Sequence, residues 1–232
     1  MKKSPIAITL ILFALFFAYT CATILVDVGQ FAPQSIDASG ETGTVTTDIG
    51  FQHLNIAAHN ALKYNRTFYK VSEYLGYAGL MCGAAIGAMW LINLIKTKKP
   101  MKVAPALNAA VVAMALMVVF YVLFEVLKLN YRPVILEDGE LEASYPSSHT
   151  LLGCVVFSCC ALVSTHLVRD RALGKTLSRL FYLLALLLVL FRTLSGVHWV
   201  SDIAGGVLLS AAIMYLAEFL LYLQTEALKR AA

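Results

Sequence analysis

Charge is scarce in this chain. Charged residues fill only 14% of its 232 positions, against about 25% in soluble proteins, and the shortage excludes an ordinary water-soluble globule. The five cysteines (Cys21, Cys82, Cys154, Cys159 and Cys160) all lie in apolar runs without metal-ligand spacing. That argues against a disulfide framework or a metal centre and for small core hydrophobes. A cleavable leader is poorly supported as well. Lys2-Lys3 precede an apolar run over 6–26, but the small-residue cleavage pattern is poor and the run is long enough to span a bilayer. The formal charge of +4 is no nucleic-acid signal, because the cations lie where membrane topology would put them.

What the sequence does have is apolar length. Hydrophobic residues make up 59% of it and the mean hydropathy is +0.75. Six segments, at 6–26, 71–95, 103–127, 147–168, 180–195 and 198–223, predict an all-α fold. The expectation is a six-span transmembrane helix bundle forming a single membrane-embedded domain over 1–232, with an interfacial helix on the outer face. Gly76, Gly79, Gly83 and Gly87 mark a face where another helix approaches closely.

The connections are less regular. Residues 29–50, rich in Gly, Ser and Thr, read as a mobile loop carrying Asp37 and Glu41. The stretch after it reads as the interfacial helix, capped by Thr47 or Asp48, with an apolar stripe of Phe51, Leu54, Ala58 and Leu62. His53 and His59 fall on its solvated faces. Asn65-Arg66-Thr67 matches a glycosylation acceptor, a pattern too short to carry weight alone. Between Val134 and Glu142, an Asp138-Gly139 turn flanked by apolar–acidic alternation predicts a small hairpin, with Glu137, Asp138, Glu140 and Glu142 in a solvated loop.

Orientation follows from the cations. With the N-terminus inside, twelve of the eighteen Lys and Arg residues lie on the inner side, at 2–3, 96–102, 169–179 and 229–230. The positive-inside rule then puts both termini in the cytoplasm. The loop from Lys128 to His149 and the turn from Arg192 to Asp202 share the outer side, and the compact length suggests a bacterial cytoplasmic membrane.

Ionisable groups at membrane depth are costly unless they pair or serve a function. Arg192, His198 and Asp202 lie between two apolar segments. If the last helix starts near His198, the four-residue spacing puts His198 and Asp202 on one face. The carboxylate would then accept one imidazole proton and leave the other nitrogen free to attack. A turn at Gly196 would bring the Arg192 guanidinium to a phosphate beside that nitrogen. Lys128 and Arg132 end the third span, and Ser147-Ser148-His149 open the fourth.

Arg132-Pro133, Pro146-Ser147-Ser148-His149 and Arg192-(five residues)-His198-(three)-Asp202 together resemble the type 2 phosphatidic acid phosphatase superfamily in order and internal spacing, over about the last 110 residues. Its signature has Lys seven residues before the first arginine, Gly within the second motif, and Ser before the second arginine. Here Glu125, Ser148 and Phe191 stand at those places. Lys128, one helical turn before Arg132, is a candidate replacement for the lysine, and Glu125 is a candidate partner for Lys128 or Arg132.

The resemblance implies that His198 attacks phosphorus, Asp202 orients it, and His149 protonates the leaving oxygen and then activates water. It implies that Arg132, Arg192, Ser147, Ser148 and Lys128 hold the phosphoryl oxygens, with no metal or other cofactor. The reading is a membrane enzyme hydrolysing phosphomonoester or pyrophosphate bonds of lipid phosphates, with membrane lipids and its substrate as partners and no nucleic acid. Two alternatives stay open: a lipid-to-lipid phosphotransferase of the same superfamily, and a non-catalytic lipid-binding or transport protein.

Overall fold

Six helices long and apolar enough to cross a bilayer run through a computed structural model of the protein, which describes residues 5–36, 46–136 and 139–231. In chain order the helices are α1 (Pro5–Leu25), the short α2 (Gln52–Leu62), α3 (Arg66–Thr97), α4 (Pro105–Leu127), α5 (Ser148–Leu167), α6 (Arg171–Leu194) and α7 (Val200–Ala231). All but α2 are membrane-length, so the six expected spans are present. Their boundaries move where a cap lies outside the apolar run. Asp170 Oδ1 accepts the N–H groups of Ala172 (2.8 Å) and Leu173 (3.2 Å), so α6 starts well before residue 180. The Asn65 side chain accepts Phe68 N–H at 3.1 Å, so the Asn-Arg-Thr triplet is the start of α3.

The central helix is α5. It is the most buried span and packs against α3, α4, α6 and α7, while α1 lies along α7. Lipid tails are as apolar as leucine, so helices in a bilayer associate through close contact rather than through expulsion of water. Small and slim residues permit that contact: Ala109, Ala110, Ala113, Cys159 and Ala212 are almost wholly buried. Of the four α3 glycines, Gly76, Gly79 and Gly83 face α5, whereas a Cβ on Gly87 would meet nothing within 4 Å.

The segment at 29–50 is not wholly a loop. It contributes β1 (Gly29–Phe31), β2 (Gln34–Ser35) and β3 (Thr47–Ile49). β1 pairs antiparallel with β3, and β2 pairs parallel with β4 (Val134–Ile135). Ile49 is buried, which anchors the ribbon. Asp37 and Glu41 lie outside the described residues, as do Glu137 and Asp138 of the expected hairpin turn. The base of that hairpin is present as an antiparallel bridge between Tyr131 and Ala143, while Val134–Ile135 pairs with β2 instead.

The helix expected after Gly50 is α2, but its cap and buried face differ from expectation. Phe51 in a left-handed conformation precedes it, without a side-chain cap, and Thr47 and Asp48 belong to β3. It buries Asn55 and His59, and leaves Leu54 60% exposed. The polar face turns inward because it finds partners there. Asn55 Nδ2 donates to Gly50 O (2.8 Å) and Ser201 Oγ (2.9 Å), and Asn55 Oδ1 accepts Ser201 N–H (3.2 Å). His53 is exposed as expected, donating its backbone N–H to Asp27 Oδ2 at 2.9 Å.

Candidate active site

One end of the bundle gathers the starts of α5 and α7, the end of α6 and the strand pair around Tyr131 and Ala143. α6 stops at Leu194, and Gly196 reverses the chain with φ +67°, which L side chains rarely adopt. A Cβ at Gly196 would also strike the Lys63 carbonyl. Beyond the turn, Trp199 is buried against Phe31 and His59, with ring centroids 4.9 and 5.6 Å away. Its Nε1–H donates to Tyr131 O at 2.8 Å. Burial, partly offset by a hydrogen bond to the Gly196 backbone, holds His59 below the usual histidine range. These contacts clamp the segment that carries His198.

His198 does not share a helical face with Asp202, as the spacing had suggested. α7 begins only at Val200, so His198 precedes it. Asp202 sits in the first turn of α7, and its Oδ2 accepts the Trp199 N–H at 3.1 Å, closing that turn. His198 Nδ1 is 3.8 Å from Asp202 Oδ2, too far for a hydrogen bond. Ser144 Oγ lies between them, 2.9 Å from Nδ1 and 2.5 Å from Oδ2. Asn130 Nδ2 donates to the other carboxylate oxygen at 2.9 Å.

Ser144 and Asn130 escaped the sequence reading, as did the Glu142 contact with Arg132. Their common signal is period-two alternation. Arg132 N–H donates to Glu142 O and Ser144 N–H to Asn130 O. Residues 130, 132, 142 and 144 therefore share one face of the strand pair, while Tyr131 and Ala143 share the other. One cross-strand pair, Asn130 and Ser144, binds Asp202. The next is an ion pair, Arg132 Nη2 to Glu142 Oε2 at 2.5 Å. Arg132 thus pairs with Glu142, not Glu125.

Arg192 is fully buried. Its Nη1 donates to Ser72 Oγ (3.3 Å), its Nη2 lies 3.2 Å from His198 Nε2, and its guanidinium sits over the Tyr69 ring at 5.3 Å. Ser147 is fully buried where α5 begins, and its N–H donates to Asp202 O at 3.1 Å, pinning the start of α5 to that of α7. The positive ends of both helix dipoles point to this place. His149 lies one residue into α5, beside Gly76. Ser148 is half-buried at the edge of the site. Lys128 is exposed in a left-handed conformation. Because α4 ends at Leu127, Lys128 and Arg132 do not share a helical face, and Lys128 makes no bond to the other site residues.

Four atoms of the expected site residues are buried without a partner: Ser147 Oγ, Arg132 Nε, Arg192 Nε and His149 Nδ1. Such groups are costly in isolation, and three of them are donors that phosphate oxygens would satisfy. Burial, reinforced by Arg192, Arg132 and His149, keeps His198 well below the usual histidine range. Its ring is therefore neutral. Because Ser144 Oγ gives its hydrogen to Asp202, its contact with His198 calls for the proton on Nδ1, which leaves the lone pair on Nε2. A groove of about 520 Å³ runs from His149 between α3 and α4, lined mostly by apolar residues including Gly76, Leu80, Val118 and Leu152, with Glu73 and Tyr121 on its walls.

A bundle of six membrane-length helices, with buried histidines and arginines meeting two helix starts at one end, defines a helical integral-membrane protein. The chain belongs to the PAP2 superfamily, whose sequence model matches residues 7–225. Its fold is similar to that of a transmembrane PAP2-type phosphatidylglycerolphosphate phosphatase from Bacillus subtilis, with a TM-score of 0.58 and 17% identity over 93% of this chain and 94% of that one. Among curated proteins, none matches the chain in sequence.

Proposed function

We propose that this protein is an integral-membrane phosphatase that hydrolyses phosphomonoester or pyrophosphate bonds of lipids, in the phosphatidate, phosphatidylglycerophosphate or polyprenyl pyrophosphate class. One observation carries the reading: a buried neutral His198 offers Nε2 within 3.2 Å of the Arg192 guanidinium, beside the unpartnered donors of Arg132, Arg192 and Ser147. Membership of the PAP2 superfamily supports it.

In this mechanism the substrate phosphate lies between Arg132, Arg192 and Ser147, with Ser148 at its edge. His198 Nε2 forms a bond to phosphorus as the P–O bond to the leaving group breaks, and His149, carrying a proton taken up together with the phosphate whose negative charge offsets the two arginines, gives that proton to the leaving oxygen. His149 then takes a proton from water, whose oxygen attacks the phosphohistidine and releases phosphate. The arginines and the two helix starts stabilise the charge that shifts between these oxygens. The hydrocarbon tail occupies the groove between α3 and α4, so the lipid reaches the site sideways from the bilayer. The distribution of cations supports a site on the outer face of the membrane with both termini inside.

The test is phosphate release by detergent-purified protein from phosphatidate, phosphatidylglycerophosphate and undecaprenyl pyrophosphate, with EDTA present. The expected result is release that survives EDTA and disappears in His198→Ala. Release that persists in His198→Ala overturns the phosphohistidine reading. Phosphorylated lipid in place of free phosphate moves the assignment to a phosphotransferase.

A further inference from the structure

Resting on the proposed phosphohistidine chemistry, the structure assigns Ser144 as the residue that positions His198. Asp202 acts on the histidine through the serine hydroxyl rather than by direct contact.

The direct path is closed by distance and by occupancy. At 3.8 Å, the closest His198–Asp202 approach exceeds a hydrogen bond. The carboxylate is also not free to swing across the gap. Oδ1 accepts from Asn130 Nδ2 at 2.9 Å and faces Ser201 Oγ at 3.5 Å, while Oδ2 accepts from Trp199 N–H at 3.1 Å and from Ser144. All these donors are neutral and come from three separate segments, so they fix the carboxylate without an opposing charge.

Ser144 is built to bridge. Its side chain is almost wholly buried, and its backbone N–H is tied to Asn130 O at 3.0 Å. A hydroxyl donates one hydrogen and accepts others. With its hydrogen given to Asp202, the oxygen can only accept from His198, which requires the proton on Nδ1 and the lone pair on Nε2. The serine thereby selects the tautomer that can attack phosphorus. When the Nε2–P bond forms and the leaving P–O bond breaks, the ring becomes cationic. Nδ1 keeps its proton, Ser144 keeps its own, and the charge of Asp202 is felt through a polarised chain of two hydrogen bonds. No proton has to move along the chain.

The same strand pair carries Arg132 and Glu142 beside Asn130 and Ser144. The residues that fix the attacking ring and an arginine proposed to hold the phosphate therefore sit on one pair of segments, joined by the Tyr131–Ala143 bridge.

The experiment compares Ser144→Ala and Ser144→Thr with the unaltered protein and with His198→Ala. It measures kcat and KM for lipid phosphate hydrolysis, thermal stability, and the tautomer of His198 by nitrogen NMR of histidine-labelled protein. At metal sites, removing a group that orients a ligating histidine costs roughly 10- to 100-fold, and Ser144→Ala should lower kcat by a factor of that order with KM little changed. Its His198 signals should report a mixture of tautomers. Ser144→Thr keeps the hydroxyl and should recover most of the rate and the single Nδ1–H tautomer. The assignment is overturned if Ser144→Ala keeps its kcat and tautomer, or if Ser144→Thr is as slow as Ser144→Ala while both remain folded. His198→Ala separates the two levels. If it retains hydrolysis, the phosphohistidine reading fails; if it is dead while Ser144→Ala is unimpaired, only the bridge fails.

Discussion

Arg192 Nη2 lies 3.2 Å from Nε2 of His198, the nitrogen that the proposed chemistry needs free. A guanidinium N–H aimed at a neutral imidazole nitrogen occupies its lone pair. An arriving phosphate offers the same N–H a charged acceptor, and hydrogen bonds to ionised partners are about twice as strong as neutral ones. In the proposed mechanism the arginine would transfer to the phosphate and uncover the nucleophile in one movement. Tyr69 beneath the guanidinium and Ser72 beside it keep the group within reach of both positions.

Removing the guanidinium should abolish the exchange. Arg192→Ala is expected to lower kcat by about 10²–10³, the cost of losing a donor to developing charge. Arg192→Lys should fall between the two, because lysine keeps the charge but loses the fork. Steady-state phosphate release from a lipid phosphate measures both. An Arg192→Ala variant within threefold of the unaltered rate would remove Arg192 from the site.

Glu142 holds Arg132 at 2.5 Å from a position 36% exposed at its side chain. A carboxylate there competes with the substrate phosphate for the same guanidinium. Glu142→Gln should therefore lower KM several-fold while leaving kcat within about twofold, since the pair breaks as substrate binds and is absent from the transition state. A rise in KM would mean that Glu142 chiefly orients Arg132 instead of competing for it.

The sequence made the six spans readable because apolar length alone defines them. The gathering of Arg132, Ser147, His149, Arg192, His198 and Asp202 at one end of the bundle was readable because their order and spacing match the motifs of the superfamily. Ser144, Asn130 and Glu142 were not, since they matter only once residues 130–132 pair with 142–144. Lys128 was set on one helical face with Arg132 although the third span was expected to end at residue 127, as α4 does, and the chain beyond that end has no helical face to share. The burial of Asn55 and His59 on α2 was not legible for a further reason. Apolar stripes normally face the interior, but here Asn55 and His59 had buried partners at the turn before α7, and the inward position went to them.

Two buried histidines outside the spans, His59 and His198, are both held below the ordinary value of 6.5. In the unfolded chain each takes up a proton near that value, whereas in the folded protein each resists. The unfolded state then binds more protons, so stability is full above about pH 6.5 and declines as the pH falls below it. Thermal melting of the detergent-purified protein should shift downward between about pH 7.5 and pH 5, by several degrees at roughly 2–4 °C per kcal/mol for a chain of this size. His59→Gln and His198→Gln should each flatten the dependence. An unchanged slope in both variants would place the acid sensitivity elsewhere.

The groove between α3 and α4 is the route proposed for the lipid tail, so its walls should matter to lipid substrates and not to soluble ones. Leu80 and Val118 line it and are 54% and 50% exposed, so a larger side chain at either has room to turn into the groove without disturbing the core. Leu80→Trp and Val118→Trp should lower kcat/KM for a long-chain lipid phosphate by about tenfold or more, because an indole in the groove blocks the tail and holds its phosphate away from His198. Hydrolysis of a short, water-soluble phosphate ester should be unaffected. Gly76→Ala provides the contrast. Its Cβ would lie 3.0 Å from His149 Cδ2, displacing the ring proposed to protonate the leaving oxygen, so it should slow both substrates alike. If the tryptophan variants slowed the soluble ester as much as the lipid, the groove would be shaping the catalytic residues and the lateral route for the tail would be wrong.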